Sequence, residues 1–134
     1  MKRTTGNKRF TLKKSQFKGG HMAEEKAKKE TLKSKALILG SIASYQPGAI
    51  VSREIIKETA GSVTVFAFDA GQGLSEHTAP FDALVYILDG EAEVRISQKK
   101  HRLKDGEFII MPAHEPHALQ AVKAFKMMLV MIKG

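Results

Sequence analysis

Cysteine is missing from this chain of 134 residues, which rules out disulfides and thiolate-bound metals. That absence is compatible with a reducing cytoplasm, where the protein is expected to reside. No apolar run approaches the roughly 18 residues that a membrane-spanning helix needs. No signal-peptide core precedes a cleavage site. No membrane partner is therefore expected. Repeats and low-complexity tracts are lacking too, and the length suits one domain.

Acidic residues are absent from the first 20 positions, which hold seven Lys or Arg with Phe10 and Phe17 interspersed. Residues 1–35 carry twelve Lys or Arg against three Glu, a net of +9, whereas the whole chain is +8. Residues 36–134 are thus nearly neutral at −1, and whatever a high isoelectric point implies belongs to the tail. Two readings of that tail stay open. Gly19-Gly20-His21-Met22 reads as a linker and cloning junction, which makes residues 1–21 an appended peptide and Met22 the natural start. The other reading is a basic arm that attracts phosphate backbones and stacks on bases, so that a nucleic-acid partner would act only through the tail 1–21. On both readings the tail is expected to be disordered, because few large apolar groups offset the entropy of ordering it.

Residues 22–35 favour a helix, with Glu24/Lys28 and Glu25/Lys29 at i,i+4 spacing. Tyr45-Gln46-Pro47-Gly48 has the composition of a turn. Strand signals then follow at short intervals: 49–55, 62–68, 83–88, 91–96, 107–111, 117–122 and 125–132. Asp89-Gly90 and Asp105-Gly106 are the sharpest hairpin signals, and residues 97–100 form a further turn. Strand 125–132 is apolar on both faces: Phe125, Met127, Leu129 and Met131 on one, Met128, Val130 and Ile132 on the other. A barrel interior uses only one face. The other must pack on the N-terminal segment, on a facing sheet or on a second subunit, and a homodimer is expected.

Two glycine-anchored segments carry the histidines. The first runs from Gly71 through His77-Thr78-Ala79-Pro80-Phe81-Asp82-Ala83 to Gly90. The second runs from Gly106 through Pro112-Ala113-His114-Glu115-Pro116-His117 to Ala121. Fifteen residues, 91–105, lie between them. Together they resemble the two motifs of the cupin superfamily, and the stretch from His77 resembles a small "conserved barrel" subgroup. In the first motif, Gly71, His77 and Gly90 match, while Ala79 stands at the second histidine position and Ala83 at the glutamate position. In the second, Gly106, Pro112 and His117 match, while His114 replaces a glycine and Ala121 an asparagine. The resemblance implies an all-β fold, a cupin double-stranded β-helix or jelly-roll barrel, preceded by a short N-terminal helical or disordered segment. It divides the chain into a basic tail (1–21), a helical or linker segment (22–44) and the barrel (45–134).

The resemblance also implies that His77 and His117 point into the barrel. Two converging neutral imidazoles suit Zn, Ni, Mn, Fe or Cu, and a catalytic site ordinarily has at least three protein ligands. His114, three residues before His117, is the first choice for the third, with Asp82 and Glu76 behind it. Asp82 would need a bulge to turn inward, since alternation sets it opposite to Ala83. Without a metal, the same pair is a polar fixture of a pocket that small residues at 79, 83 and 121 leave room for. Three functions follow: a small-molecule-binding cupin with or without a metal; a metal-dependent enzyme of dioxygenase or isomerase type; and an oligomeric scaffold whose basic arm carries nucleic acid or cargo. The first is the primary expectation, and whether the chain is an enzyme is left open by the sequence.

Overall fold

The computed structural model describes residues 10–13 and 32–133. Eight strands account for most of them: β1 (Phe10–Lys13), β2 (Ala49–Glu58), β3 (Gly61–Phe68), β4 (Gly73–His77), β5 (Asp82–Ile96), β6 (Lys99–Lys104), β7 (Phe108–Met111) and β8 (His117–Ile132). A single 3-10 turn, Leu39–Ser41, precedes β2. All pairings are antiparallel. The order is β1-β2-β3-β8-β5-β6, with β4 added to β8 and β7 to β5.

Two long strands, β5 and β8, belong to two layers at once. The first half of β5 lies between β7 and the second half of β8, which continues into β3 and β2. The second half of β5 lies between β6 and the first half of β8, which is flanked by β4. The layers are therefore β1-β2-β3-β8-β5-β7 and β4-β8-β5-β6, folded over one core as the barrel reading requires.

The glycines that signalled hairpins do something else. Asp89-Gly90 does not reverse the chain; β5 runs on through it, and its register against β8 shifts between Ile87 and Asp89 and again between Gly90 and Ala92. Gly90 has φ +84, and a Cβ there would strike the Ala124 carbonyl oxygen. It is the bulged corner at which β5 passes from one layer to the other. The expected break between 122 and 125 is likewise the bend of one continuous β8. Asp105-Gly106 also fails to make a hairpin, because β6 and β7 pair with successive stretches of β5 and not with each other. Ile87 holds that turn on both sides: its amide donates to the Glu107 carbonyl at 2.9 Å and its carbonyl accepts from the Gly106 amide at 2.9 Å. The true two-residue hairpin is Ser97-Gln98, with φ of 48° and 72°, between the paired Ile96 and Lys99.

Alternation fills the interior. Ala83, Val85 and Ile87 of β5 meet Phe66 and Phe68 of β3, Phe125 and Met127 of β8, Val94, Leu103 and Met111. Phe68 and Phe125 stack with centroids 4.5 Å apart. Each fully buried side chain of this kind contributes about 1.5–3 kcal/mol. A smaller cluster lies outside the six-stranded layer, where Ile42 and Ala43 cover Val51, Val65 and Ala67. Tyr45 donates to Asp89 at 2.6 Å, and the Lys126 ammonium donates to the Gly40 carbonyl at 2.6 Å, so the covering segment is tied to the β5–β8 corner.

The N-terminal expectations meet the structure in two places. The helix expected over 22–35 falls mostly on residues outside those described; at its end, Lys33-Ser34 is a turn, with Ser34 in the left-handed region at φ 63. Of the tail expected to be disordered, only Phe10–Lys13 is described, and it pairs with Ala49–Ser52. The open edge of β2 offers those four residues the backbone partners that an isolated peptide lacks. The rest of 1–21, and with it the nucleic-acid expectation, lies outside the described residues.

Candidate functional site at the His77–His117 pair

His77 ends β4 and His117 begins β8, and the two are direct cross-strand partners. Their inward direction has a specific cause. Leu74 pairs with Leu119 and packs on the core, so strict alternation would send Glu76 inward and His77 outward. The register slips by one residue between Leu74 and His77. That bulge reverses the alternation and sets His77 against the His117 ring, while Glu76 turns to Arg95, 3.4 Å away on the surface. His117 needs no such device, since His117, Leu119 and Ala121 alternate inward along β8 and are all buried.

The ring centroids are 4.4 Å apart and the planes 73° apart, edge to face. His117 is buried, at 3% exposure, whereas His77 is exposed. Both rings are held in the same manner. The Nδ1 of His77 lies 2.8 Å from the Ser75 carbonyl oxygen, and that of His117 3.0 Å from the Glu115 carbonyl oxygen. A carbonyl can only accept, so each Nδ1 carries a proton, and in the neutral form of the ring the lone pair lies on Nε2. This is the outer support that metal-binding histidines characteristically have. Burial lowers the His117 pKa below the ordinary imidazole value, and the neighbouring His77 lowers it further, against the opposing pull of the Glu115 carbonyl. The buried ring is therefore neutral at pH 7.

The other expected donors lie elsewhere. His114 is exposed in the turn between β7 and β8, with φ 69 and its amide donating to the Ala79 carbonyl at 2.7 Å. It occupies the position where the cupin motif has glycine, and its left-handed backbone explains why glycine suits that position. Asp82 does not turn inward. Its carboxylate accepts from the Ala113 amide at 2.9 Å and so clamps the same turn from outside. Ala83 and Ala121, read as openings, are core positions 5% and 2% exposed. Ser75 and Glu115, whose carbonyls orient the rings, were not identified from sequence, because a backbone acceptor leaves no side-chain signature.

A transition metal fits this site in part. Two nitrogen donors with fixed tautomers are the right chemistry for it. Among the described residues, no group of three His, Cys, Asp or Glu side chains assembles around one point. The two imidazoles are the donors that a metal would meet among these side chains.

Comparison with known proteins agrees with the architecture. The family model "Cupin domain" matches residues 64–133. A conserved protein of unknown function from Streptococcus pyogenes is 40% identical, with a TM-score of 0.72 over 75% of this chain and 89% of that one. A cupin 2 conserved barrel domain protein from Leptotrichia buccalis is 37% identical, with a TM-score of 0.68 over 70% of this chain and 46% of that one. A cupin superfamily protein from Desulfitobacterium hafniense is 25% identical, with a TM-score of 0.73 over 79% and 97% of the two chains. No curated protein matches. With its two-layered barrel, its paired motif histidines and a family match over more than half its length, this chain belongs to the cupin family.

Proposed function

We propose that this chain is a small-molecule-binding cupin whose ligand site is the barrel mouth at His77 and His117. A divalent transition metal would be held there by the two Nε2 atoms. One observation carries the reading: both rings donate Nδ1–H to the carbonyl two residues upstream, which directs both lone pairs away from the backbone. A bound metal would supply Lewis acidity to a ligand oxygen. The chain's own contribution is to fix the tautomers, keep the buried ring neutral and close the floor with Leu119 and Ile96, which flank His117.

The enzyme reading asks for a third protein donor. His114 faces solvent, Asp82 serves the Ala113 amide and Glu76 serves Arg95. Binding is therefore the function this geometry supports best. The test is native mass spectrometry of protein purified without an affinity tag, before and after adding Zn(II), Ni(II) or Cu(II). A one-to-one metal or small-molecule adduct that disappears in both His77→Ala and His117→Ala supports the proposal. An adduct that survives both substitutions contradicts it.

A further inference from the structure

We infer that Lys99 and His101 extend the ligand site and select an anionic ligand, a small carboxylic acid that carries a second oxygen donor. The inference rests on the reading of His77 and His117 as that site. Cross-strand register sets the four residues on one face. His77, His117, Ile96 and Lys99 stand abreast across β4, β8, β5 and β6. Leu74, Leu119, Val94 and His101 form the next row, and Ala121, Ala92 and Leu103 the one after. Ile96, Val94, Leu119 and Leu103 belong to the core, so Lys99 and His101 lie on the inner face of this layer. Along the inner side of β6 exposure rises towards the histidine end: Leu103 is 4% exposed, His101 is half-buried and Lys99 is exposed. Neighbouring strands lie about 4.8 Å apart, which sets the Lys99 backbone roughly 10 Å from that of His117, a span that one small molecule bridges.

Charge decides the class of ligand. Lys99 is a cation, and an imidazole such as His101 can donate a hydrogen bond. Among the described residues, the carboxylates of this layer fall elsewhere. Glu76 turns outward to Arg95 and Glu91 to Arg102, and Glu93 is the cross-strand partner of Arg102 on that same outer side. Glu115, beside the 97–98 hairpin, accepts from the Ser97 hydroxyl at 3.1 Å. On the other layer the inward carboxylate is Glu54, the partner of Thr64, and its strand β2 lies far from β6 in the strand order. Lysines that only guard an edge strand against pairing stand outward, as Lys100 and Lys104 do beside Arg102. Lys99 instead shares a row with His117. A carboxylate between Lys99 and His101 gains charge-assisted hydrogen bonds. A hydroxyl or keto oxygen of the same molecule then meets the Nε2 atoms of His77 and His117, or a metal held by them.

The experiment is isothermal titration calorimetry of the full chain, with and without Zn(II), against glycolate, lactate and malate and against the uncharged glycolamide and lactamide. The acids should bind, and the amides should bind at least about tenfold more weakly. Lys99→Gln and His101→Ala should each weaken the acids about tenfold. Lys100→Gln, which removes the same charge from the outer face, should leave them unchanged. Amide proton–nitrogen spectra of the wild type test the point without substitution, since lactate should move the signals of Lys99 and His101 together with those of His77 and His117. Zn(II) should bind the wild type and all three variants alike. Absence of a Zn(II) response at His77 and His117 in the wild type would remove the metal from the site proposed for that pair. Acids and amides bound equally, no acid bound in either state, or Lys100→Gln as harmful as Lys99→Gln would overturn the present inference while leaving the metal response intact.

Discussion

His77 and His117 meet edge to face across two neighbouring strands, 4.4 Å apart, each anchored by the carbonyl of the residue two before it. The pair depends on an extra residue in β4, without which His77 would point away from His117 and Glu76 towards it. Its behaviour with pH follows from the burial of His117. The folded-state pKa of that ring is lowered, whereas the unfolded chain protonates near the ordinary value of about 6.5. Below that value the unfolded state binds more protons than the folded one. Stability is therefore fully present above about pH 6.5 and declines as the pH falls from there towards the folded-state pKa. Urea titrations from pH 8 to 5 in the presence of a chelator should show this loss. His117→Gln should flatten the slope, and an unchanged slope would remove His117 as its source.

His114→Gly separates backbone strain from ligation. The left-handed backbone at φ 69 is unfavourable for any residue with a Cβ. The substitution should stabilise the fold by about 0.5–1 kcal/mol in denaturant unfolding, the entropy of glycine offsetting part of the gain. Metal affinity should be unchanged, and a tenfold weaker affinity would return His114 to the ligand set.

Gly90→Ala should be among the most damaging single changes in the barrel. Its Cβ meets the backbone of Ala124 and Phe125, which cannot move without disturbing β8, and φ +84 adds strain. A loss of at least about 3 kcal/mol is expected by chemical denaturation. A loss below 1 kcal/mol, on the order of a surface change, would show that the corner can relax.

Most of the fold was legible in the sequence, and the exceptions have physical reasons. Alternation along 91–96 and the two-faced apolar strand 125–132 appear in β5 and β8 as expected. The glycines were found, but composition alone cannot tell a reversing turn from a bulged corner, since both need positive φ. Long β5 and β8 were divided for that reason. At the site, the motif positions supplied His77 and His117. The bulge that aims His77 was invisible because it lies in the register between distant strands, Leu74 with Leu119 and then His77 with His117. The position of His114 is read from sequence for side-chain chemistry, and the left-handed backbone that the structure gives it leaves no signature there, because a histidine stands where glycine would announce it.

Asp82→Ala tests the clamp at the mouth. Losing the hydrogen bond to the Ala113 amide should cost about 0.5–1.5 kcal/mol. Amide exchange at Ala113 and His114 should quicken while exchange in β8 stays slow. Unaltered exchange at Ala113 would show that Asp82 does not hold the turn.

The most direct measurement is long-range proton–nitrogen correlation of the imidazoles at pH 8 during titration with Zn(II). Protonated Nδ1 and unprotonated Nε2 should be seen for both His77 and His117 in the metal-free protein. The two Nε2 signals should then shift together on metal addition, while His101 and His114 stay still. A proton on either Nε2, or a metal response at His114 in place of one of the pair, would contradict a two-nitrogen site inside the barrel.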